Sequence, residues 1–227
     1  LSAETLEFDI ITRIDTLLRG YSKTVYLLEG TDLSLETDFS YVVPWLENSG
    51  YETIAIEGTL ENSILEAENP LIVIGSQFDD TTVQKIENFI MNGGRVLFYV
   101  SKNKTNIIDW ISYPLSDNNL LSMLSYWGFS LESGLLMDIA NYRITMQSSD
   151  GNSYDNYPLW ITILPRYVYK HPVTESFSGL ELYWASPLSV FSTEQSTISV
   201  LAESSEQSFI QKPFLLTNSS SDELTYE

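Results

Sequence analysis

Six polar residues directly follow three apolar runs of this 227-residue sequence, and each run has the length of a short β-strand. In a sheet of parallel strands the carboxyl ends meet at one edge, so residues that follow the strands are expected to lie close together there. Their carboxylate, hydroxyl and amide groups could hydrogen-bond a small ligand or a protein partner. These candidate binding residues are Glu29, Thr31, Asp32, Ser76, Gln77 and Ser101.

The second run ends in a glycine-containing turn, a feature that holds nucleotides in many α/β proteins. A phosphate cradle needs several glycines, so that backbone N–H groups at the start of a helix become accessible. Here the text is LIVIGSQFDD, with the single glycine Gly75 and with Asp79 and Asp80, which would repel a phosphate. The pattern predicts a strand exit followed by a helix cap, and we expect no nucleotide or other cofactor.

The nucleophiles and metal ligands of the sequence argue against an enzyme. The absence of cysteine excludes disulfides, thiolate nucleophiles and cysteine-ligated zinc. The single histidine, His171, precedes a proline, which favours a structural role, and no serine stands in a GxSxG pattern. The segment from Asp150 to Asp155 offers oxygen ligands but lacks the spacing of a calcium loop, so a turn is predicted. We predict no catalytic residue and no metal site.

The charge balance limits the partners. The sequence has 31 acidic and 11 basic residues, with a net charge of −20, and such a surface repels nucleic acid. No run approaches the roughly 18 apolar residues of a membrane span. The chain begins at Leu1 and ends in a polar tail. We therefore expect a soluble segment of a longer protein, with any membrane tether outside it.

Alternating helix and strand patterns predict the elements that position the candidate residues. Helical spacing of apolar residues predicts an amphipathic helix from Ser2, as its N-cap, to Gly20. Its apolar stripe contains Leu6, Ile10, Ile14, Leu17 and Leu18. Four strands follow, in TVYLL, YETIAIEG, LIVIG and RVLFYV. Single helices between strands imply parallel pairing, hence an α/β three-layer sandwich with a mainly parallel, Rossmann- or flavodoxin-like sheet.

Two of the intervening helices carry distinctive local signals. The segment LETDFSYVVPWLENSG has helical spacing, and Pro44 within it predicts a kink or a restart. Asp79 or Asp80 can cap the next helix, where Thr81 and Gln84 also fit a capping box.

The pattern changes after Ser101. The text SKNKTN predicts a polar loop, a short helix ends at Gly128, and short β-like runs then alternate with turn residues: LLMDIA, YRITMQ, LWITIL, LSVF and TISVLA. We predict an α/β core over residues 1–130. We expect residues 131–227 to form a β-rich C-terminal extension packed on that core, with a polar tail. The five tryptophans are expected mainly in core packing.

The order of these segments resembles the extracytoplasmic domain of GldG-like proteins, which are auxiliary components of ABC-type transport systems linked in some bacteria to gliding motility. The resemblance spans about residues 21–190 and is carried by TVYLLEG, LENSGYETIAIE, NPLIVIGSQFDDTTVQKIENFIMNGGRVLFYV, LLSMLSYWGFSLESGLLMD and KHPVTESFSGLELYWASPLSV. Family members often carry Gly-His-Gly-Glu after the first strand. Here the matching text is Gly30-Thr31-Asp32-Leu33, so the histidine is replaced.

This resemblance implies a protein tethered to the bacterial cytoplasmic membrane, with its soluble domain on the extracytoplasmic (periplasmic) face and with permease and ATPase subunits as partners. It implies no catalytic residue. The leading hypothesis is a non-enzymatic binding or scaffolding domain. The alternative is a carbohydrate-binding or carbohydrate-active domain, with two carboxylates about 5–10 Å apart at the C-terminal edge of the parallel sheet if it is catalytic. A third possibility is a small-molecule binding module with a vestigial enzyme fold.

Overall fold

A computed structural model describes residues 3–20, 22–60, 64–106, 109–148, 151–175 and 177–211. The chain forms two compact units. The first contains the described residues up to Val100 together with Asn118–Met123, and the second contains Ser101–Asp117 and the described residues from Leu124 onward. The division at residue 130 and the packing of one part on the other stay predictions.

The helices and strands follow in chain order. They are α1 (Ala3–Arg19), β1 (Lys23–Glu29), α2 (Val42–Asn48), β2 (Tyr51–Glu57), β3 (Leu71–Ile74), α3 (Asp80–Met91), β4 (Val96–Tyr99), β5 (Asn103–Asn106), β6 (Ile111–Pro114), α4 (Asn119–Tyr126), β7 (Phe129–Leu131), β8 (Leu135–Asp138), β9 (Asn141–Ser148), β10 (Gly151–Ile163), a 3₁₀ helix (Pro165–Tyr167), β11 (Leu180–Tyr183), β12 (Leu188–Val190) and β13 (Ser208–Gln211).

The first unit contains a four-stranded parallel sheet in the order β2-β1-β3-β4. The central strand β1 pairs with β2 over its whole length and with β3 over its second half. In this register Glu29 at the end of β1 lies beside Ile74 at the end of β3. The predicted fold class is therefore confirmed: a three-layer α/β sandwich with a parallel sheet, followed by β-rich structure.

Apolar packing fixes α2 on one face of this sheet. Its residues Val42, Val43 and Leu46 pack against the buried Val25 and Leu27 of β1. Val25 and Leu27 share a face because side chains alternate along a strand. The same cluster includes the buried Ile74 at the end of β3 and Leu35 in the loop after β1.

Pro44 does not kink helix α2. Helix α2 begins at Val42, so Pro44 is its third residue. The first N–H groups of a helix have no partner within the helix, and a proline there loses no hydrogen bond. The predicted restart is therefore the start of the helix itself, and Phe39 lies in the turn before it.

Helix α3 is capped by Asp79, one of the two predicted caps. The Asp79 carboxylate accepts the backbone N–H of Thr82 at 2.8 Å. The predicted capping box of Thr81 and Gln84 is wrong, because Thr81 lies inside the helix and its N-cap is two residues earlier. The helix buries Val83, Ile86 and Phe89, and Ile90 is half-buried.

Helix α1 forms as predicted and ends before Gly20, whose φ of +73° is the left-handed conformation that favours glycine at a helix end. The proposed N-cap Ser2 lies outside the described residues. The aliphatic stripe of α1 is exposed to solvent.

The second unit is built from antiparallel pairs. Strands β11, β10 and β9 form one sheet, and β12-β7, β13-β8 and β5-β6 form pairs. A core cluster of Leu135, Met137, Tyr157 and Leu159 is covered by three of the tryptophans. Those three are Trp110, Trp160 and Trp184. Their predicted packing role is confirmed.

Trp45 does not fit the packing prediction. Its side chain is 68% exposed on α2, where it stacks on the exposed ring of Tyr41. The inward face of this short helix is already filled by Val42, Val43 and Leu46, so the tryptophan remains on the outer face.

Several local predictions in the second unit were wrong. The polar text SKNKTN contains strand β5, which pairs with β6. The buried Asn103 in β5 donates from Nδ2 to the carbonyl of Gly134 at 2.5 Å, so hydrogen bonds rather than an apolar pattern hold this strand. The segment TISVLA forms only an isolated bridge between Ala202 and Val168. Strands β6, β7, β11 and β13 were not predicted. Residues 151–155, which were predicted to form a turn, lie in strand β10.

Candidate functional site

Five of the six candidate residues meet in the first unit, where β1 and β3 end. The centre is the carboxylate of Asp32. The backbone N–H of Ser76 donates to both Oδ1 and Oδ2 at 3.1 Å, and the N–H of Gln77 donates to Oδ1 at 3.0 Å. Successive backbone N–H groups of this kind form a concavity suited to an anion. In this protein the chain's own Asp32 occupies it.

Two glycines allow the carboxylate to come so close. A Cβ atom added at Gly30 would lie 2.6 Å from Asp32 Oδ1, and one added at Gly75 would lie 2.8 Å from the same oxygen. Gly75 also has a φ of +101°, a conformation that side chains other than glycine rarely adopt. Both glycines are therefore required by the position of Asp32.

Further hydrogen bonds join the two loops. The N–H of Gly30 donates to the carbonyl of Ile74 at 2.7 Å, and that of Thr31 donates to the carbonyl of Gln77 at 3.0 Å. The Thr31 hydroxyl donates to the same Gln77 carbonyl at 3.4 Å. The loop after β1 is thus connected to the turn after β3 through both backbone and side-chain atoms.

Glu29 and Ser76 also lie at this edge and contribute to the structure of its loops. Glu29 Oε2 accepts the backbone N–H of Leu35 at 2.6 Å, which closes the loop that follows β1. The side chain of Ser76 is buried, with 1% of its surface exposed. Both predicted residues therefore contribute to loop structure at this edge.

Ser101, unlike the other five candidates, belongs to the second unit. Its hydroxyl donates to the carbonyl of Asn103 at 2.8 Å and lies 2.9 Å from the hydroxyl of Ser186. Ser186 also accepts the backbone N–H of Lys102 at 2.8 Å. Ser186 comes from a distant part of the sequence, and no local pattern marks it as a partner of this loop.

The hydrogen bonds at this sheet edge limit its ability to bind an external anion. An external anion at the Gly75 turn would compete with Asp32 for the same two backbone donors, and the carboxylates of Glu29 and Asp32 both accept backbone N–H groups. The edge therefore acts as a cross-link between two loops. Among the residues that the structure describes, no three histidine, cysteine or acidic side chains are grouped so that they could hold a metal ion.

Local hydrogen bonds shift the pKa values of Asp79 and of two tyrosines elsewhere in the structure. The pKa of Asp79 is lowered, chiefly by the backbone N–H of Thr82. The pKa values of Tyr169 and Tyr183 are raised, because their hydroxyls donate to the carboxylates of Glu203 and Glu181. All three arrangements are ordinary structural contacts at the surface.

His171 is exposed, and its Nδ1 accepts the backbone N–H of Val173 at 3.2 Å. The bond closes the turn around Pro172, which agrees with the structural role predicted for this histidine.

The sequence did not reveal that Asp32 is the internal acceptor. Asp32 and Ser76 are 44 residues apart, and the only signals are a short acidic side chain after Gly30 and a lone glycine after β3. Together these signals are compatible with a loop contact, but they do not select one.

Comparison with known proteins places this fold in a family. Among the described residues, no helix combines the length and the apolar character that crossing a membrane requires. No solved structure matches the chain. An uncharacterized protein of Borreliella burgdorferi is 23% identical over 220 residues, which cover 94% of this chain and 43% of the relative, so the chain spans less than half of the length of that protein.

A family model described as an ABC-type uncharacterized transport system matches residues 22–225. This range includes the parallel sheet, the Asp32 loop and the antiparallel strands of the second unit. The family is one of auxiliary transport components and is not a known enzyme family. Because the match covers most of the sequence, this chain belongs to the auxiliary family of ABC-type transport systems.

Proposed function

We propose that this chain is a non-enzymatic binding or scaffolding domain of an ABC-type transport system, similar to GldG and held on the extracytoplasmic face of the cytoplasmic membrane. The observation that carries the proposal is the family match over residues 22–225. The resemblance to the gliding-motility proteins supports the finer assignment. The partners proposed are the permease and ATPase subunits of the same system.

The edge of the parallel sheet supports a scaffolding role. This edge is where α/β proteins place ligands and reacting groups. Here the backbone donors of the Gly75 turn are taken by Asp32, and Glu29 closes the neighbouring loop. Such cross-links stiffen the loops, as a domain that presents a constant surface to protein partners requires.

Co-purification tests the proposed association. The full-length protein would be expressed with the permease and ATPase genes beside its own gene and purified through a tag on this protein. We expect both subunits to co-purify in constant proportion after detergent extraction. Recovery of the tagged protein alone, together with retention on immobilised glycans, would refute the proposal in favour of the carbohydrate alternative.

Labelling in intact cells tests the location. The 227 residues contain no cysteine, so Ser116→Cys at an exposed position provides a single reporter once any cysteine elsewhere in the full-length protein is replaced. A membrane-impermeant maleimide should label this variant in intact cells. Labelling only after lysis would place the domain in the cytoplasm and contradict the proposed location.

A further inference from the structure

Helix α1 contacts the start of β2, within the first unit, through its polar side. A Cβ atom added at Gly50, just before β2, would lie 2.8 Å from Thr16 Oγ1 and 3.0 Å from Thr12 Cγ2. Thr12 and Thr16 are one turn apart, so this side of the helix faces the start of β2. Amphipathic surface helices usually place their apolar side against the core. Here that arrangement is reversed.

The aliphatic side of α1 points away from this contact. Successive helical residues are rotated by about 100°, which places the aliphatic stripe nearly opposite the two threonines. The stripe consists of the five residues predicted from the sequence, Leu6, Ile10, Ile14, Leu17 and Leu18, together with Ile11 beside them. Each of these side chains is between 51% and 82% exposed. Single exposed apolar residues are common, but six on one side of a helix form an apolar surface of the kind that marks an interaction site.

The negative charge of the chain indicates which kind of partner could bind the aliphatic stripe. Helix α1 itself contains four acidic and two basic residues, and the chain has a net charge of −20. A second copy would bring the same negative charge to the interface, and an anionic lipid surface would repel it in the same way. A protein helix with an aliphatic face flanked by lysine or arginine satisfies both the apolar surface and the charge.

We propose that the aliphatic stripe of α1 is a docking surface for a basic amphipathic helix of a partner protein. The inference rests on the proposed function, because it assigns the surface through which this domain meets a subunit of its transport system. Helix α1 precedes the residues that match the family model, so the family match does not account for this surface.

The test uses the two most exposed stripe residues. Leu17 and Leu18 are 81% and 82% exposed, and glutamine has nearly the same helix propensity as leucine, so Leu17→Gln with Leu18→Gln should leave the helix intact. The matched control replaces two exposed isoleucines outside α1, Ile64→Gln with Ile139→Gln. Circular dichroism verifies that both variants remain folded.

Co-purification with the permease and ATPase should fall about tenfold or more in the Leu17/Leu18 variant, as for residues central to an interface, and should stay unchanged in the control. Equal recovery from the two variants would overturn the inference. A stripe-dependent dimer in sedimentation, or stripe-dependent binding to phosphatidylglycerol vesicles, would also overturn it, by assigning the surface to a second copy or to lipid.

A peptide-binding assay tests the docking surface independently of the proposed function. The probe is a synthetic amphipathic helix of about five turns with a leucine face flanked by lysines, and its control carries glutamates at the flanks. We expect the lysine peptide to bind the unsubstituted full-length protein about tenfold tighter than the Leu17/Leu18 variant, and the glutamate peptide to bind neither. If peptide binding depends on the stripe but no transporter subunit co-purifies, the proposed function fails and the docking surface stands. Equal peptide binding by the two proteins refutes the docking surface.

Discussion

Replacing Asp32 by alanine should destabilise the first unit more than any other single exposed or half-buried acidic substitution there. The change removes the acceptor of two backbone N–H groups, those of Ser76 and Gln77, and leaves both without the carboxylate. It also removes a link between the loops after β1 and β3. The stability of the unit should fall without loss of its fold.

The size of the effect follows from the burial of the groups involved. A hydrogen bond to a charged group contributes about 1.5–3 kcal/mol to stability. Asp32 and Gln77 are half-buried, so water can replace part of the lost interaction at Gln77, whereas Ser76 is buried. We therefore expect a loss of about 2–4 kcal/mol in the free energy of unfolding for Asp32→Ala. Asp32→Asn retains one acceptor oxygen without the charge and should lose about half as much.

Urea unfolding followed by far-ultraviolet circular dichroism measures this change, because α1, α2 and α3 all belong to the first unit. Asp38→Ala is the matched control. Its exposed carboxylate accepts one backbone N–H, that of Ser34 at 2.9 Å, and its loss should cost about 0.5–1 kcal/mol.

Two results would refute this reasoning. If Asp32→Ala and Asp38→Ala lower stability equally, the internal anion site contributes nothing beyond a surface contact. If Asp32→Asn is as stable as the unsubstituted chain, the negative charge is not what the two N–H groups require.

Three further predictions address other contacts. Gly75→Ala should cost about 1–3 kcal/mol more than Gly93→Ala in thermal unfolding. Both glycines have a positive φ, but only the added methyl at Gly75 meets Asp32. Asp79→Ala should cost about 1 kcal/mol near neutral pH. Because the folded pKa of Asp79 lies below the usual aspartate value of 3.8, this difference is present above about pH 5 and is lost as the pH falls below 3.8 and through the lowered folded pKa; Asp79→Asn, which can still cap, should show little difference at either pH. The buried Asp138 accepts three hydrogen bonds from backbone and hydroxyl donors, so Asp138→Ala should lower the stability of the second unit by about 3 kcal/mol or more in tryptophan-monitored denaturation, and a loss below about 1 kcal/mol would contradict the role assigned to it.

Local patterns were sufficient for most of the parallel sheet. The run from Leu71 to Ile74 is apolar without interruption, as expected of a strand covered on both faces, and it forms the buried β3. The cap at Asp79 was also predictable, because a capping residue bonds to the helix that begins beside it in sequence. Sequence patterns failed where hydrogen bonds replaced apolar contacts, as in the polar strand β5.

For the first unit, the sequence by itself determined which strands and helices follow one another along the chain, the parallel pairing and the sheet edge at which five polar residues meet, since all of these follow from short-range periodicity and chain connectivity. Tertiary structure alone decided what those residues do. The bond between Asp32 and the Gly75 turn joins positions 44 residues apart, and Ser101 contacts Ser186, which lies 85 residues further along the chain in the same second unit. The outward direction of the α1 stripe was also decided at this level, because periodicity defines the two sides of a helix but only the packing of Thr12 and Thr16 near Gly50 determines which side faces the protein.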